Sequence, residues 1–166
     1  MINLEEIELC ILRVLQQESN ITNVELAQRV FLSASPCLGR VNSLRSSGLI
    51  RGYVALLHPT VLGLHLNVVI SISLKQQSSK ALEDFEERVC FRPEVVECFL
   101  MTGDAKYLLR VLVHDMRALE RFILEQLSPI PQMEKIRSSF ALQQVRYTSA
   151  LPLNCGEKAV ALRSRT

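Results

Sequence analysis

Residues 34–48 constrain the fold of this chain more than any other segment. Ser35 followed by Pro36 is a start signal for a helix, because a serine oxygen caps free N–H groups and proline suits the first helical position. Apolar side chains then recur at the spacing i, i+4 and i+7: Cys37, Val41 and Leu44. Gly48 stands where a helix ends in a left-handed residue. The segment is therefore predicted to be one amphipathic helix.

The outer face of this helix is predicted to carry no carboxylate. Its residues are small, polar or basic: Ser35, Gly39, Arg40, Asn42, Ser43 and Arg45. Such a face suits close approach to an anionic groove, so the segment is interpreted as the reading helix of a helix-turn-helix. A solvated basic surface is the plainer alternative.

The distribution of charge favours the first interpretation. The formal net charge is only +2, but no Asp or Glu occurs between Glu25 and Glu83. Six basic residues fall in that interval: Arg29, Arg40, Arg45, Arg51, Lys75 and Lys80. Lys and Arg on phosphates release counterions and so supply most sequence-independent affinity for DNA. The pattern predicts double-stranded DNA as a partner.

Two further helices are predicted ahead of the reading helix. The first has an amphipathic period, and the second opens with a capping box made by Thr22 and Glu25. An apolar segment after Gly48 is predicted to be a linking strand. The predicted elements are helices at 4–18, 23–30 and 34–48, a turn at 31–34 and a strand at 50–57. Together they predict a winged helix-turn-helix domain over residues 1–62.

The hydrophobic period changes from Leu66 onward, where apolar and polar side chains begin to alternate as in a half-buried strand. The elements predicted after that point are strands at 66–74, 95–101, 107–113 and 135–147 and helices at 80–91 and 115–127. Their order is βαββαβ, so residues 63–152 are predicted to form a ferredoxin-like domain with both helices on one face. The whole chain is thus an α+β protein, and residues 153–166 are predicted to be a loose tail.

Composition argues against several classes of protein. No apolar run approaches the about 20 residues that a membrane span needs, so no membrane partner is expected. The first eight residues hold three acids and no basic leader, which is unlike a secretory signal. The five cysteines are scattered and are expected to be reduced and mostly buried in a cytoplasmic protein: Cys10, Cys37, Cys90, Cys98 and Cys155.

Nothing in the sequence indicates catalysis. The three histidines (His58, His65 and His114) lie far apart, and there is no nucleophile elbow, P-loop or dinucleotide fingerprint. The spacing of histidines and cysteines is also unlike that of a zinc site. We therefore expect no catalytic residues, no metal and no cofactor.

The motifs resemble those of the Lrp/AsnC (feast/famine) family of transcription regulators. In the first half they run from Ile21 through the segment Ser35-Pro36-Cys37-Leu38 to Gly52-Tyr53. In the second half, the segment from Gly103 to Tyr107 is similar to the family's Gly-Asp-x-Asp-Tyr loop. The ending from Ser139-Phe140 to Leu151-Pro152 is similar to that of members controlling amino-acid catabolism. The resemblance spans residues 2–152.

This resemblance implies a homodimer, held by the sheet domains, that assembles into octamer-like particles. A symmetric dimer would place two reading helices about one DNA turn apart. Amino-acid or other small-acid effectors would bind between C-terminal ligand-binding (RAM) domains, near the Gly-Asp loop. The implied effector residues are Met101, Thr102, Gly103, Asp104, Lys106 and Tyr107.

Roles in DNA binding are predicted for nine residues: Ser33, Ser35, Pro36, Gly39, Arg40, Asn42, Ser43, Arg45 and Arg51. The two serines at the helix start, Ser33 and Ser35, are expected to donate to phosphate. Arg40 and Ser43 are expected to reach base edges or backbone, while Arg45 and Arg51 are expected to hold phosphates.

Three residues depart from the family pattern. Phe31 stands in the turn where the family usually has Gly, at a position expected to need positive φ, which costs about 1 kcal/mol or reshapes the turn. Gly39 replaces a longer polar side chain in the reading helix, at a cost of about 0.5–1 kcal/mol. Lys106 occupies the place of the second acid of the Gly-Asp-x-Asp-Tyr loop.

Lys106 is the departure with the largest consequence. A carboxylate there would attract the ammonium group of an amino acid, whereas a lysine repels it and attracts a carboxylate or pairs with Asp104. The hypothesis is that the chain has lost the ordinary response to neutral amino acids or has changed its ligand. The alternative is that Gly103-Asp104 is only a hairpin turn beside a solvated lysine.

Two other functions stay open on the sequence alone. One is an architectural DNA-binding protein that responds to no effector. The other is a ligand-binding or oligomerisation module without DNA binding, which would leave the first 60 or so residues unexplained.

Overall fold

The computed structural model describes residues 4–75 and 78–153 of the chain. These residues form two compact units, the first made of residues 4–56 with 146–153 and the second of residues 57–145. Beyond residue 153, the predicted C-terminal tail lies outside the described residues. No helix among the described residues is long and apolar enough to cross a membrane.

Three helices make up most of the first unit: α1 (Glu6–Gln17), α2 (Asn23–Arg29) and α3 (Ala34–Ser46). Both α1 and α2 begin with a capping box. The box of α2, made by Thr22 with Glu25, was predicted, and that of α1, made by Glu5 with Glu8, was not. The apolar faces of the helices meet in one core: Ile11, Leu26, Ala27, Val30, Cys37 and Leu44. This packing fixes the orientation of α3 and so decides which of its side chains face solvent.

The turn between α2 and α3 is tight. Its second residue, Phe31, has a φ of 56°, so the expectation of a left-handed residue at this position is confirmed. The Leu32 N–H donates to the carbonyl of Ala27 across the turn. The Phe31 ring is 75% exposed and gains little burial there.

The start of α3 differs from the prediction, and its end agrees with it. The N-cap residue is Ser33 rather than Ser35, so Pro36 lies at the third helical position instead of the first. Proline is tolerated there because the first four N–H groups of a helix have no partner within the helix. Gly48 has a φ of 77° just after the helix, as predicted.

The strand predicted at residues 50–57 is wrong for this chain. Residues 51–58 form neither a helix nor a strand and pair with no strand among the described residues. Val54 and Leu57 are largely exposed, because no neighbouring strand or helix covers them among the described residues. A short 3₁₀ turn, Thr60–Leu62, and a left-handed Gly63 follow.

A four-stranded sheet forms the second unit, with strands β1 (Leu66–Leu74), β2 (Val95–Leu100), β3 (Tyr107–Val113) and β4 (Met133–Phe140). The strand order is β2-β3-β1-β4, and every pairing is antiparallel. Helix α4 (Ser79–Val89) connects β1 to β2, and α5 (Met116–Phe122), extended by a π-helical turn at Ile123–Leu127, connects β3 to β4. The predicted βαββαβ fold is confirmed.

One face of this sheet carries the core. Alternate residues of β1 and β3 are buried against apolar side chains of the two helices: Phe85, Val89, Leu119 and Phe122. One detail of the prediction is wrong. Strand β4 ends at Phe140 rather than at residue 147, although the Ala141 N–H still donates to the Asn67 carbonyl of β1.

Candidate DNA-binding surface and effector loop

The outer face of α3 is a continuous polar surface. Eight of the nine residues predicted to contact DNA are exposed: Ser33, Ser35, Pro36, Gly39, Asn42, Ser43, Arg45 and Arg51. The buried positions Cys37 and Leu44 hold the opposite side of the helix in the core. No residue of α3 carries a carboxylate. The surface is therefore free of groups that would repel phosphate.

The N-terminal end of α3 adds a positive partial charge. Its first turn contains no acid, and its first N–H groups lack a helical acceptor. Within the described residues, the Ser33 hydroxyl does not cap the helix. Helix starts of this kind bind phosphate well, since the dipole and the free N–H groups act together. The two serines Ser33 and Ser35 lie at this end.

Arg40 has a different environment from the other eight residues. Its guanidinium Nη1 lies 2.5 Å from Glu5 Oε2 and 3.8 Å from Glu8 Oε1, and its side chain is about one third exposed. Arg40 thus lies on the flank of α3 that faces α1, not on the outer face where it was expected. Its contact with DNA stays a prediction, and it would compete with this ion pair.

A shallow groove lies beside the C-terminal half of α3. It is lined by residues of the helix and of the segment after it: Asn42, Arg45, Ser46, Ile50, Arg51, Gly52 and Tyr53. The guanidinium carbon of Arg45 lies 5.9 Å from the centre of the Tyr53 ring, within range of a cation–π contact. The fold thus brings two exposed arginines, Arg45 and Arg51, to one groove.

Sequence reasoning missed the part of Tyr53 and Ser46 in this groove. Tyr53 belongs to the segment predicted as a strand, where a tyrosine is an ordinary residue. The distance between Arg45 and Tyr53 depends on the turn at Gly48, and only the structure supplies that geometry.

The loop between β2 and β3 is a tight hairpin. The Met101 N–H donates to the Lys106 carbonyl over 2.8 Å, and the Lys106 N–H donates to the Ile72 carbonyl over 2.7 Å. Ser73 Oγ donates to the Asp104 carbonyl over 3.0 Å. Gly103 has a φ of 114°, which few other residues adopt. Strand β1 therefore holds the loop in place through its backbone.

The polar side chains of this loop are directed outward. Residues 101–104 are exposed, and Lys106 is half-buried. The pairing of Lys106 with Asp104, one of the two outcomes considered for this lysine, is not present among the described ion pairs. In the described structure the Lys106 ammonium group is therefore available to a ligand.

Tyr107, at the end of the loop, is held by the core. Its ring stacks on Phe85 with centroids 4.4 Å apart, and its hydroxyl donates to Glu86 Oε1 over 2.6 Å. Burial, followed by the hydrogen bond to Glu86, raises the pKa of Tyr107 well above its usual range. The hydroxyl stays protonated, and the contacts of Tyr107 with Phe85 and Glu86 hold the end of the loop against the core. Its predicted contact with an effector is not tested by this arrangement.

Comparison with known proteins assigns both units to families. Residues 4–51 match the winged helix-turn-helix DNA-binding family, and residues 67–151 match the Lrp/AsnC ligand binding domain. The chain belongs to the Lrp/AsnC family. It is therefore a DNA-binding transcriptional regulator with a ligand-binding domain.

The Lrp/AsnC assignment agrees with relatives of nearly the same length. The chain is 42% identical over 153 residues to the Bkd operon transcriptional regulator of Pseudomonas aeruginosa, which covers 92% of this chain and 100% of the relative. It is 38% identical over 149 residues to the leucine-responsive regulatory protein of Escherichia coli, which covers 90% and 91% of the two chains.

Solved structures of Lrp/AsnC proteins have the same fold. A transcriptional regulator of Neisseria meningitidis, crystallised as a complex with L-methionine, superposes with a TM-score of 0.87 at 41% identity and covers 92% of this chain and 98% of its own. An AsnC family regulator of Agrobacterium tumefaciens has a TM-score of 0.86 at 38% identity, with coverages of 90% and 97%.

Proposed function

We propose that this Lrp/AsnC protein controls genes of amino-acid metabolism by reading operator DNA with the outer face of α3. The observation that supports this most is the exposed, carboxylate-free surface of that helix, continued by the groove that holds Arg45 and Arg51. A surface of this composition loses no affinity to phosphate repulsion and gains affinity through counterion release.

Each part of the surface has a proposed role. The two serines at the helix start and the adjoining Pro36 lie against phosphate. Asn42 and Ser43 face the base edges in the major groove, where Gly39 permits close approach. Arg45 and Arg51 hold phosphates. Arg40 joins them only by leaving Glu5, so we assign it a secondary contact.

We further propose that a small effector binds at the loop formed by residues 101–107. The relative from Neisseria was crystallised with L-methionine, and other relatives are named leucine-responsive, so an amino acid or related acid is the expected class of ligand. In this chain Lys106 would bind the carboxylate of the ligand and repel its ammonium group. The ordinary response to neutral amino acids is then weakened or replaced.

The assembly is proposed to be a homodimer that builds octamer-like particles. The sheet face opposite the helices has no covering layer among the described residues. This face carries the cross-strand pair of Ser71 in β1 and Arg137 in β4, together with the half-exposed Phe99. A second copy of the sheet would cover this face. Light scattering on the purified protein measures the mass directly, and a monomer at micromolar concentration would contradict the proposal.

The division of labour along the chain follows from these roles. We propose that residues 1–62 bind DNA and that residues 63–152 bind the effector and hold the oligomer. The protein would act in the cytoplasm, where its DNA is, and would have no catalytic activity.

Gel-shift titration on the DNA upstream of the protein's own gene tests the proposal. With nonspecific competitor present, we expect stepwise specific shifts for the wild type and loss of specificity for Asn42→Ala combined with Ser43→Ala. Light scattering on the double variant shows whether assembly is preserved. Equal binding of the two proteins to that DNA and to random DNA would contradict specific reading by α3.

A further inference from the structure

Two cysteines that are distant from the DNA-binding surface in sequence come together in the second unit. Cys90 is the C-cap residue of α4, and Cys98 lies in β2. Their Sγ atoms are 2.7 Å apart. No sequence motif indicates this pair, since the spacing of eight residues matches no redox or metal motif and the contact depends on how α4 packs on the sheet.

The surroundings of the pair suit a disulfide. The sulfur–sulfur distance exceeds the about 2.05 Å of a disulfide bond by less than 1 Å, so a small movement closes it. Cys90 ends a helix, and β2 is the terminal strand of the described sheet, so both backbones have room to adjust. Both side chains are half-buried, which leaves them accessible to a small oxidant.

We propose that Cys90 and Cys98 form a disulfide under sustained exposure to peroxide, and that this disulfide ties α4 to β2 beside the loop at residues 101–107. A disulfide that forms reversibly in a reducing compartment is characteristic of redox sensing. Formation of the disulfide does not depend on the proposed effector site. Any effect of the disulfide on the response to a ligand rests on that proposed function.

The chemistry balances with hydrogen peroxide as the oxidant. The thiolate of one cysteine attacks a peroxide oxygen, so that an S–O bond forms, the O–O bond breaks and hydroxide leaves to become water. The second sulfur then attacks the sulfenic acid, forming the S–S bond and releasing the second water. Two thiols lose two electrons and two protons, and one peroxide becomes two waters.

The electrostatic environment sets the expected rate. Burial raises the pKa of Cys90, and burial together with the neighbouring Cys90 raises that of Cys98 to about 12. Since the thiolate is the reactive form, oxidation at neutral pH should be slow and should accelerate as pH rises.

The position of the pair connects it to the loop. The Cys90 N–H donates to the backbone carbonyl of Glu86, whose carboxylate accepts the Tyr107 hydrogen bond. Cys98 lies three residues before Met101, the first residue of the loop. A covalent link between α4 and β2 restrains both supports of the loop at once, so the loop should open less often in the oxidised protein.

Peptide mapping of the full-length protein tests the proposal. The protein is treated with hydrogen peroxide, its free thiols are alkylated, and it is digested with trypsin. Both cysteines fall in the peptide at residues 89–106, because the Arg92-Pro93 bond resists trypsin. We expect this peptide to lose two hydrogens and to resist alkylation until it is reduced. A second cut after Glu94 or Glu97 should leave two fragments joined by the disulfide.

Variants and hydrogen exchange complete the experiment. The crosslinked peptide should be absent from Cys98→Ser and present in Cys10→Ser. If either variant fails to fold, the peptide map of the wild type decides by itself whether Cys90 and Cys98 are linked. Amide exchange in residues 101–106 should be slower after oxidation and should recover on reduction. Oxidation to sulfinic acid without a link, or a link from either cysteine to another thiol, would overturn the pairing. Unchanged exchange in the linked protein would overturn the coupling to the loop.

Discussion

The guanidinium of Arg40 in α3 lies 2.5 Å from a carboxylate oxygen of Glu5, the N-cap residue of α1. An arginine of the reading helix is therefore partly neutralised by the helix that supports it. In the proposed complex, DNA would compete with Glu5 for this guanidinium, whereas it would meet Arg45 and Arg51 without an acidic partner among the described ion pairs.

Removing the charge of Glu5 should strengthen DNA binding. Glu5→Gln keeps an oxygen for the capping box and removes the nearer of the two carboxylates beside Arg40, leaving Glu8 at 3.8 Å. We therefore expect affinity for operator DNA to rise about two- to fivefold at low salt, as for one exposed ion pair. Fluorescence anisotropy with labelled operator measures the change. Glu6→Gln, which alters the same net charge away from Arg40, should have a smaller effect. Equal effects of the two changes would show that only net charge matters.

Arg51 should contribute through phosphate rather than through sequence. We expect Arg51→Ala to weaken binding to specific and random DNA alike, and to reduce the slope of log affinity against log salt by about one. Titrations at several salt concentrations give this slope. The matched control is Arg117→Ala, which makes the same change of charge at an exposed position of α5 and should leave the salt slope unchanged. A wild-type slope in Arg51→Ala would remove this residue from the interface.

Lys106 should decide the class of effector. Because the Lys106 side chain makes no ion pair among the described residues and its backbone holds the hairpin, Lys106→Asp should preserve the fold. We expect the variant to bind L-leucine or L-methionine at least about tenfold more tightly than the wild type, equivalent to about 1.4 kcal/mol. Isothermal titration calorimetry measures both proteins, with Lys80→Asp on α4 as the control. Tight binding of leucine by the wild type would contradict the hypothesis.

Stability should fall at alkaline pH. Burial raises the pKa of Tyr107 and of Cys98 in the folded protein, so each group adds stability below its ordinary pKa and loses it as pH rises. The loss should begin near pH 8.5 for Cys98 and near pH 10 for Tyr107, about their unperturbed values. Urea unfolding under reducing conditions between pH 7 and 11 measures this. Cys98→Ala should reduce the earlier part of the decline, to which Cys37 and Cys90 also contribute, and Tyr107→Phe should remove the later part. A wild-type stability that is constant over this range would contradict the assigned environments.

The sequence predicted the architecture because the architecture depends on local patterns. Capping residues, the alternation in β1 and the glycine after α3 each act over a few residues, and the structure confirms them. The left-handed conformation of Phe31 was expected from the family resemblance rather than from a local pattern, because relatives usually have glycine at this position.

The remaining features depend on contacts between distant segments. The N-cap of α3 is Ser33 rather than the predicted Ser35, because the turn after α2 sets where the helix begins. The pairing of Arg40 with Glu5 joins residues 35 positions apart, and the cysteine pair depends on the packing of α4 against β2. No sequence period encodes such distances. The apolar segment after α3, at residues 51–58, is likewise not a strand, because strand formation needs a partner from elsewhere in the chain.

Selection of binding sites from a pool of random duplex DNA tests most directly whether the outer face of α3 reads sequence. We predict that the wild type enriches one motif, and that Asn42→Ala and Ser43→Ala each relax that motif at only one or two base pairs. Arg117→Ala, outside the proposed surface, should enrich the wild-type motif. Enrichment of no motif by the wild type, or of an unchanged motif by both α3 variants, would contradict the account.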